Sequence, residues 1–325
     1  MVAFIIRRLA LSVVVLLVST FLVFMLEANA GDPLATLRAR QPPPPPATIT
    51  ALQHELHLDV PIPVRYFYWL GRVLHGDLGN SINGIPVRAQ LGARVGITLQ
   101  LVLLAMLLAL LLAVVAGVVA AVNQYSALDY VTTLIGFVLI STPLFWFAGL
   151  LKSGAIWLNH TFNAQLVSFD GQSTPGYNGG FFGNLSDRLS HLILPTIALA
   201  SIHYAAWSRY QRAAMLDVLG SDYIRLARAK GVRWRTVLRR HGARTAIIPL
   251  TTIVAVNFGL IIGGAVVTET VFNWHGMGEL LINGVKASDT NVVLGWLLVS
   301  ATAVVLANLI ADILYGLLDP RIRHD

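Results

Sequence analysis

The densest run of side chains that could do chemistry lies between Asp222 and Arg244. It reads Asp222-Tyr223-Ile224-Arg225-Leu226-Ala227-Arg228-Ala229-Lys230-Gly231 and continues through Arg233, Arg235, Arg239, Arg240 and Arg244. Arginine at this density offers charge and hydrogen-bond donors to an anionic surface, not acid–base or nucleophilic catalysis. Catalytic signatures are missing. The three lysines are Lys152, Lys230 and Lys286. None follows a glycine, so the sequence has no G-x-x-x-x-G-K-[ST] phosphate loop. His54-Glu55-Leu56-His57 spaces its histidines three apart, where a zinc-peptidase helix needs four, and no G-x-S-x-G occurs. The chain has no cysteine, which excludes disulfides, thiolate metal sites and a thiol nucleophile.

The elements that must position the basic run follow from composition. Of 325 residues 56% are hydrophobic and only 12% charged. Soluble domains carry about 25% charged residues, so the composition argues against a water-soluble fold and rules out disorder. Uncharged runs of 18, 34, 22, 20, 24 and 22 residues separate Arg8 from Glu27, Arg94 from Asp129, Asp129 from Lys152, Arg188 from Arg209, Arg244 from Glu269 and Asp289 from Asp312. A spanning helix needs about 20 apolar residues. The pattern predicts six transmembrane helices near 5–26, 97–122, 130–151, 190–210, 246–268 and 291–315. The first imitates a signal peptide, with Arg7 and Arg8 before it and Ala28-Asn29-Ala30 after it. Its 18-residue run exceeds the usual 7–15, so it reads as a retained helix.

The formal net charge is +7, and 14 of the 23 basic residues fall on one side if both termini are inside. The positive-inside bias therefore places the N- and C-termini in the cytoplasm, and the 209–244 cluster decides that orientation. The segmentation is 1–28, an N-terminal helix; 29–94, an extracytoplasmic segment; 95–316, the main transmembrane region; and 317–325, a cytoplasmic tail. Outside, Pro42 to Pro46 predict a stiff polyproline spacer. Tyr66, Phe67, Tyr68 and Trp69 either line the outer interface or pack as a small subdomain. The stretch 152–189 reads as outer loop.

The inner segment 211–245 holds too many arginines to cross a bilayer. Ser221 or Asp222 can cap a short helix that Gly231 stops. In a second short helix Trp234, Val237, Leu238 and His241 share one face and Arg235 and Arg239 the other. Three readings fit: a loop against anionic headgroups, a nucleic-acid patch, or a dock for a soluble partner. Small Ala227, Ala229 and Gly231 favour the dock, because they let another surface come close. Within the bilayer, Asn257 with Gly259, Gly263 and Gly264 marks either close helix packing or a translocation pathway. Asn308 and Asp312 fall near an inner helix end, His203 reads as a packing residue, and Pro143 and Pro195 kink or end their helices.

Asp222 to Gly231, followed by Ile248-Pro249, resembles the EAA motif of ABC importer permeases. More narrowly, it is similar to the B-type permeases of oligopeptide and dipeptide importers. The same order is kept by Gly31-Asp32-Pro33, by Gly76-Asp77-Leu78-Gly79-Asn80-Ser81 and by His191-Leu192-Ile193-Leu194-Pro195. Gly263-Gly264-Ala265-Val266-Val267-Thr268-Glu269-Thr270-Val271-Phe272 and Asp319-Pro320-Arg321 come next. The polyproline run looks like an insertion, and His275 stands where a Trp-Pro-Gly turn is usual.

The resemblance implies an all-α integral membrane protein of the type I importer fold, in the inner membrane, that is not itself an enzyme. Its EAA loop would enter a cleft on a cytoplasmic ATPase through Asp222, Ala227, Ala229 and Gly231, with Arg225, Arg228 and Lys230 at the rim. Glu269 joins the pathway-or-packing set. ATP and Mg would be bound by partner subunits and no cofactor by this chain. A second permease subunit would form a heterodimer with it, an extracytoplasmic peptide-binding protein would deliver substrate, and lipid would surround it, with no nucleic acid. The same scaffold could carry nickel, glutathione or another small solute. An ion-coupled secondary transporter is the competing class, and charge-free helix interiors argue against it.

Overall fold

The computed structural model describes residues 2–39, 41–42 and 44–318. The Asp319-Pro320-Arg321 motif and the side chain of Asp312 lie outside what is described. All regular elements among the described residues are helices. They are α1 (Val2–Ala30), α2 (Ala35–Arg38), α3 (Pro46–Glu55), α4 (Ile62–Leu74), α5 (Val87–Val122), α6 (Ala127–Ser141) and α7 (Leu144–Thr161). Then come α8 (Gly180–Leu219), α9 (Asp222–Ala229), α10 (Trp234–Thr236), a π-helical turn (Val237–Ala243) and α11 (Arg244–Ala246). The last four are α12 (Ile248–Val256), α13 (Phe258–Val271), α14 (Met277–Ala287) and α15 (Thr290–Leu318).

Four of these helices, in α1, α5, α8 and α15, are long and apolar enough to cross a membrane; taking two bent pairs as one span each brings the number to six. The expected single helices at 130–151 and 246–268 are corrected to those pairs. α6 and α7 meet at 106°, and the helical run Trp234–Val256, which ends in α12, meets α13 at 57°. Pro143 explains the first break. It pushes Thr142 into extended backbone (φ −91°, ψ 121°) and itself occupies the N-cap of α7. The second falls at Asn257, whose ψ of −4° departs from the helical value near −42°. Pro195, by contrast, sits inside an unbroken α8. The segment after Lys152 is not all loop either, since α7 runs on to Thr161 and α8 starts at Gly180.

The chain forms two compact units. One comprises Met1–Thr98 with His275–Val305, the other Leu99–Trp274 with the residues from Leu306 on. In the first, α4 docks on α1. The Tyr66 hydroxyl donates to the Leu17 carbonyl at 3.1 Å and lies 3.0 Å from Thr20 Oγ1. Tyr66 and Trp69 are buried with Phe24 and Leu294, whereas Phe67 and Tyr68 face outward. The aromatic cluster is therefore one amphipathic helix, packed on one side and largely exposed on the other, where Tyr68 stacks on His57 at 4.5 Å. A second core joins Val87 and Leu91 to Met277, Leu280 and Val292. It depends on α14, an element that the charge-free runs do not predict. Close approach fixes the α14–α15 hairpin: a Cβ on Gly284 would sit 2.8 Å from Val292 Cγ1.

The second unit is organised around α8, whose face from His191 to Met215 is buried. A Cβ on Gly117 would lie 2.7 Å from Gln211 Cβ and 2.8 Å from the Ser208 carbonyl, so α5 meets α8 backbone to backbone at that point. Lys152 Nζ donates to Asp170 (2.6 Å) and to the Val271 carbonyl (2.9 Å), tying α7 to the loop and to α13.

Candidate coupling surface

Arg212, near the end of α8, sets the base of this surface. Its Nε and Nη2 donate to Asp129 Oδ1 and Oδ2, both at 2.7 Å. Asp129 is buried in the first turn of α6, where Ser126 occupies the N-cap and accepts from the Asp129 backbone N–H at 3.4 Å. The Tyr125 N–H adds a donor to Oδ2 at 3.0 Å. A bidentate pair with a further donor anchors the last turns of α8 to the start of α6 in one geometry. The sequence reading missed this pair. Its signal was Asp129 itself, the one acid between two long charge-free runs.

Beyond Gly220 the chain turns into α9. Ser221 occupies the N-cap position, but its hydroxyl donates back to the Val218 carbonyl at 2.6 Å and makes no cap bond. The expected side-chain cap is thus corrected. α9 starts instead with an Asp222–Arg225 ion pair (2.8 Å) that stays in solvent, Asp222 being 96% exposed. The other end closes as expected. The Val232 N–H donates to the Ala227 carbonyl (3.2 Å) and the Gly231 N–H to the Arg228 carbonyl (3.0 Å), with Gly231 at φ +71°. This is a Schellman closure, and it requires a left-handed residue at 231.

Ile224 is buried and fixes which way α9 faces. At 100° per residue, Asp222, Leu226 and Ala229 lie on the opposite crest, flanked by Tyr223, Arg225 and Lys230. Leu226 is 56% and Tyr223 44% exposed. Ala229, Lys230 and Gly231 are exposed too, and a Cβ on Gly231 would meet nothing within 4 Å. Ala227 is half-buried on the inward flank. Arg228 stacks over the Trp234 ring at 5.0 Å, linking α9 to α10.

The second short helix differs from expectation. After one turn of α10 the backbone widens into the π turn Val237–Ala243. Extra residues per turn rotate the buried stripe, so that Val237, Gly242 and Ala246 face inward and His241 faces solvent. The face of Trp234, Val237, Leu238 and His241 therefore does not form. Gly242 is the close contact: a Cβ there would lie 2.9 Å from Met215 Cε on α8. Arg235, Arg239 and Arg240 remain exposed around a shallow recess.

The intramembrane candidates separate. Gly264 packs on Leu199 and Leu144, and Glu269 and Thr268 are fully buried. Asn257 and Gly259 are half-buried. Gly263 is exposed, with open space where a Cβ would stand. Within this chain the close approach is therefore made at Gly264 and not at Gly263.

Long apolar helices, an anchored end of α8 and an exposed basic helix beyond it define a multi-pass membrane protein with an exposed contact surface. The chain belongs to the family of binding-protein-dependent transport system inner membrane components, whose model matches residues 113–324, with the N-terminal model of that family matching residues 1–93. It is similar to the oligopeptide transport system permease protein OppB of Mycobacterium tuberculosis, 43% identical over 317 residues, 98% of each chain. It is 39% identical to the oligopeptide permease AppB of Bacillus subtilis over the full length of both chains. Identity to the dipeptide permease DppB of Escherichia coli is 36%, over 100% of this chain and 99% of that one. The chain is accordingly a transport permease component of the inner membrane.

Proposed function

We propose that this chain is the translocation subunit of an ATP-driven importer of oligopeptides or dipeptides, and that α9 couples it to a cytoplasmic ATPase. The substrate class rests on one observation: end-to-end similarity to permeases named for oligopeptides and dipeptides. In this reading a second permease subunit completes the pathway, an extracytoplasmic binding protein delivers the peptide, and ATP and Mg stay on the ATPase. Both termini lie in the cytoplasm, which puts the 209–244 arginines on the inner side.

The coupling assignment is supported by the form of α9. Its crest carries Leu226 and Ala229 in solvent beside arginines, an apolar ridge with a charged rim. Such a ridge suits a protein cleft. Gly231→Glu tests it. Gly231→Asn is the control, because asparagine tolerates the left-handed backbone that Gly231 holds. Both variants should reach the membrane at normal levels. Glutamate adds bulk and a charge against the cleft, a penalty of several kcal/mol if buried unpaired, so ATPase co-purification and peptide uptake should fall at least about tenfold. Asparagine should retain most of both. Normal ATPase association in Gly231→Glu would return the segment to a lipid-facing role. Loss of uptake with intact association would keep coupling at α9 and place the affinity for the ATPase in other contacts.

A further inference from the structure

In the first unit a small cavity of about 30 Å³ lies among α1, α4 and the start of α15. Arg65, Trp69, Arg72, Asp289 and Thr290 are in its wall. Four polar atoms of these residues are buried with no hydrogen-bond partner among the described residues: Arg65 Nε, Trp69 Nε1, Arg72 Nε and Thr290 Oγ1. The first three can only donate. Trp69 is 2% exposed, so water outside does not serve its indole N–H.

The acid in the wall does not answer them. Asp289 accepts from the Ile82 N–H at 2.9 Å and from the Val292 N–H at 3.2 Å, where it caps α15. Two guanidinium groups stand in the wall against one carboxylate there, and Glu27 of α1 lies near enough to Asp289 for the two acids to repel, so the charges balance and the surplus is one of hydrogen-bond donors. Burial lowers the Arg65 pKa from its ordinary value, the mark of a cation whose hydration is not fully replaced. A water molecule needs about 10–15 Å³, and it brings two hydrogens that need acceptors of their own. The wall is in excess of donors instead. Three donor-only groups without a partner and room for something larger than one water describe an acceptor-only occupant.

We propose that this cavity binds one small monovalent anion, of halide or formate size, held by Arg65, Trp69, Arg72 and Thr290. The site is separate from α9 and does not depend on the transported substrate. Its ligand bridges α4 to the first turn of α15.

Unfolding of the purified full-length chain in detergent tests this. Sodium gluconate, whose anion is too large to enter, is replaced by sodium chloride or sodium formate at constant ionic strength. The unfolding midpoint should rise saturably by several degrees with at least one of the two, since a ligand that binds only the folded state stabilises it in proportion to its occupancy. Trp69→Phe removes the indole donor and leaves an aromatic ring; Thr290→Val removes only the hydroxyl. Each should weaken the apparent affinity about tenfold or more, the worth of one hydrogen bond to a charged group. Their midpoints in gluconate should stay near that of the unmodified chain. If Trp69→Phe does not fold, Thr290→Val decides. A response that does not saturate, or one that both variants keep unchanged, overturns the proposal and leaves the cavity to water.

Discussion

Asp129 and Arg212 show what one pair of side chains does at a helix junction. Asp129 is buried and its partner is 29% exposed, so removing either leaves an ill-hydrated charge. Asp129→Asn or Arg212→Leu should each cost about 3 kcal/mol, the low end for breaking a buried pair. The double variant Asp129→Leu with Arg212→Leu should cost less than the sum, and thermal unfolding of all four proteins measures the coupling. Additive losses would mean that the two side chains act independently. At this scale the sequence was partly legible. Gly231 announced its left-handed turn because few other residues hold φ +71° without strain. Ser221 misled, because a hydroxyl beside a helix start can donate to the preceding turn as readily as it caps the next. The Asp129–Arg212 pair joins residues 83 apart, and no local pattern encodes such a contact.

Helices meet where glycine lets them. Gly117→Ala should cost about 1–3 kcal/mol, because the new methyl runs into the Ser208 carbonyl, which is backbone and cannot rotate away. Gly149→Ala, with nothing within 4 Å, should be neutral or slightly stabilising. Comparing unfolding midpoints of the two separates helix packing from helix propensity; equal shifts would remove the packing argument. The attachment of α9 rests on Ile224, 1% exposed. Ile224→Ala should loosen the helix by about 2–5 kcal/mol of local stability. Hydrogen exchange confined to 222–230 would report it, and unchanged protection there would show that α9 is held by other contacts. Element existence was readable from charge-free runs because the bilayer penalises every interruption. Element shape was less so. The bend at Asn257 and the π turn after α10 follow from tertiary packing, and α14 is amphipathic enough to hide between spans. Pro143 carried a local steric signal and was readable as a break.

The whole molecule predicts a division of labour. The purified chain alone should neither bind nor hydrolyse ATP, since no G-x-x-x-x-G-K-[ST] segment is present. Saturable nucleotide binding by the isolated chain would contradict this. Intact mass of the protein from membranes should include α1, whose helix runs without interruption through Ala28-Asn29-Ala30; a mass starting at Gly31 would show cleavage. Membrane class was legible in composition alone, whereas the division into two packed units was not, because α5 and α15 each belong partly to both. One element links the two ends of the second unit. α8 has 40 residues, about 60 Å of helix at 1.5 Å per residue, with Arg212 near one end and the Asp187–His191 contact near the other. Pro195 does not divide it. A rod of that length is a lever: each degree of tilt about its Leu219 end sweeps its Gly180 end by roughly 1 Å. Whatever pushes on the Asp129–Arg212 junction therefore has its displacement magnified at the far side of the membrane, with no hinge along the way to absorb it.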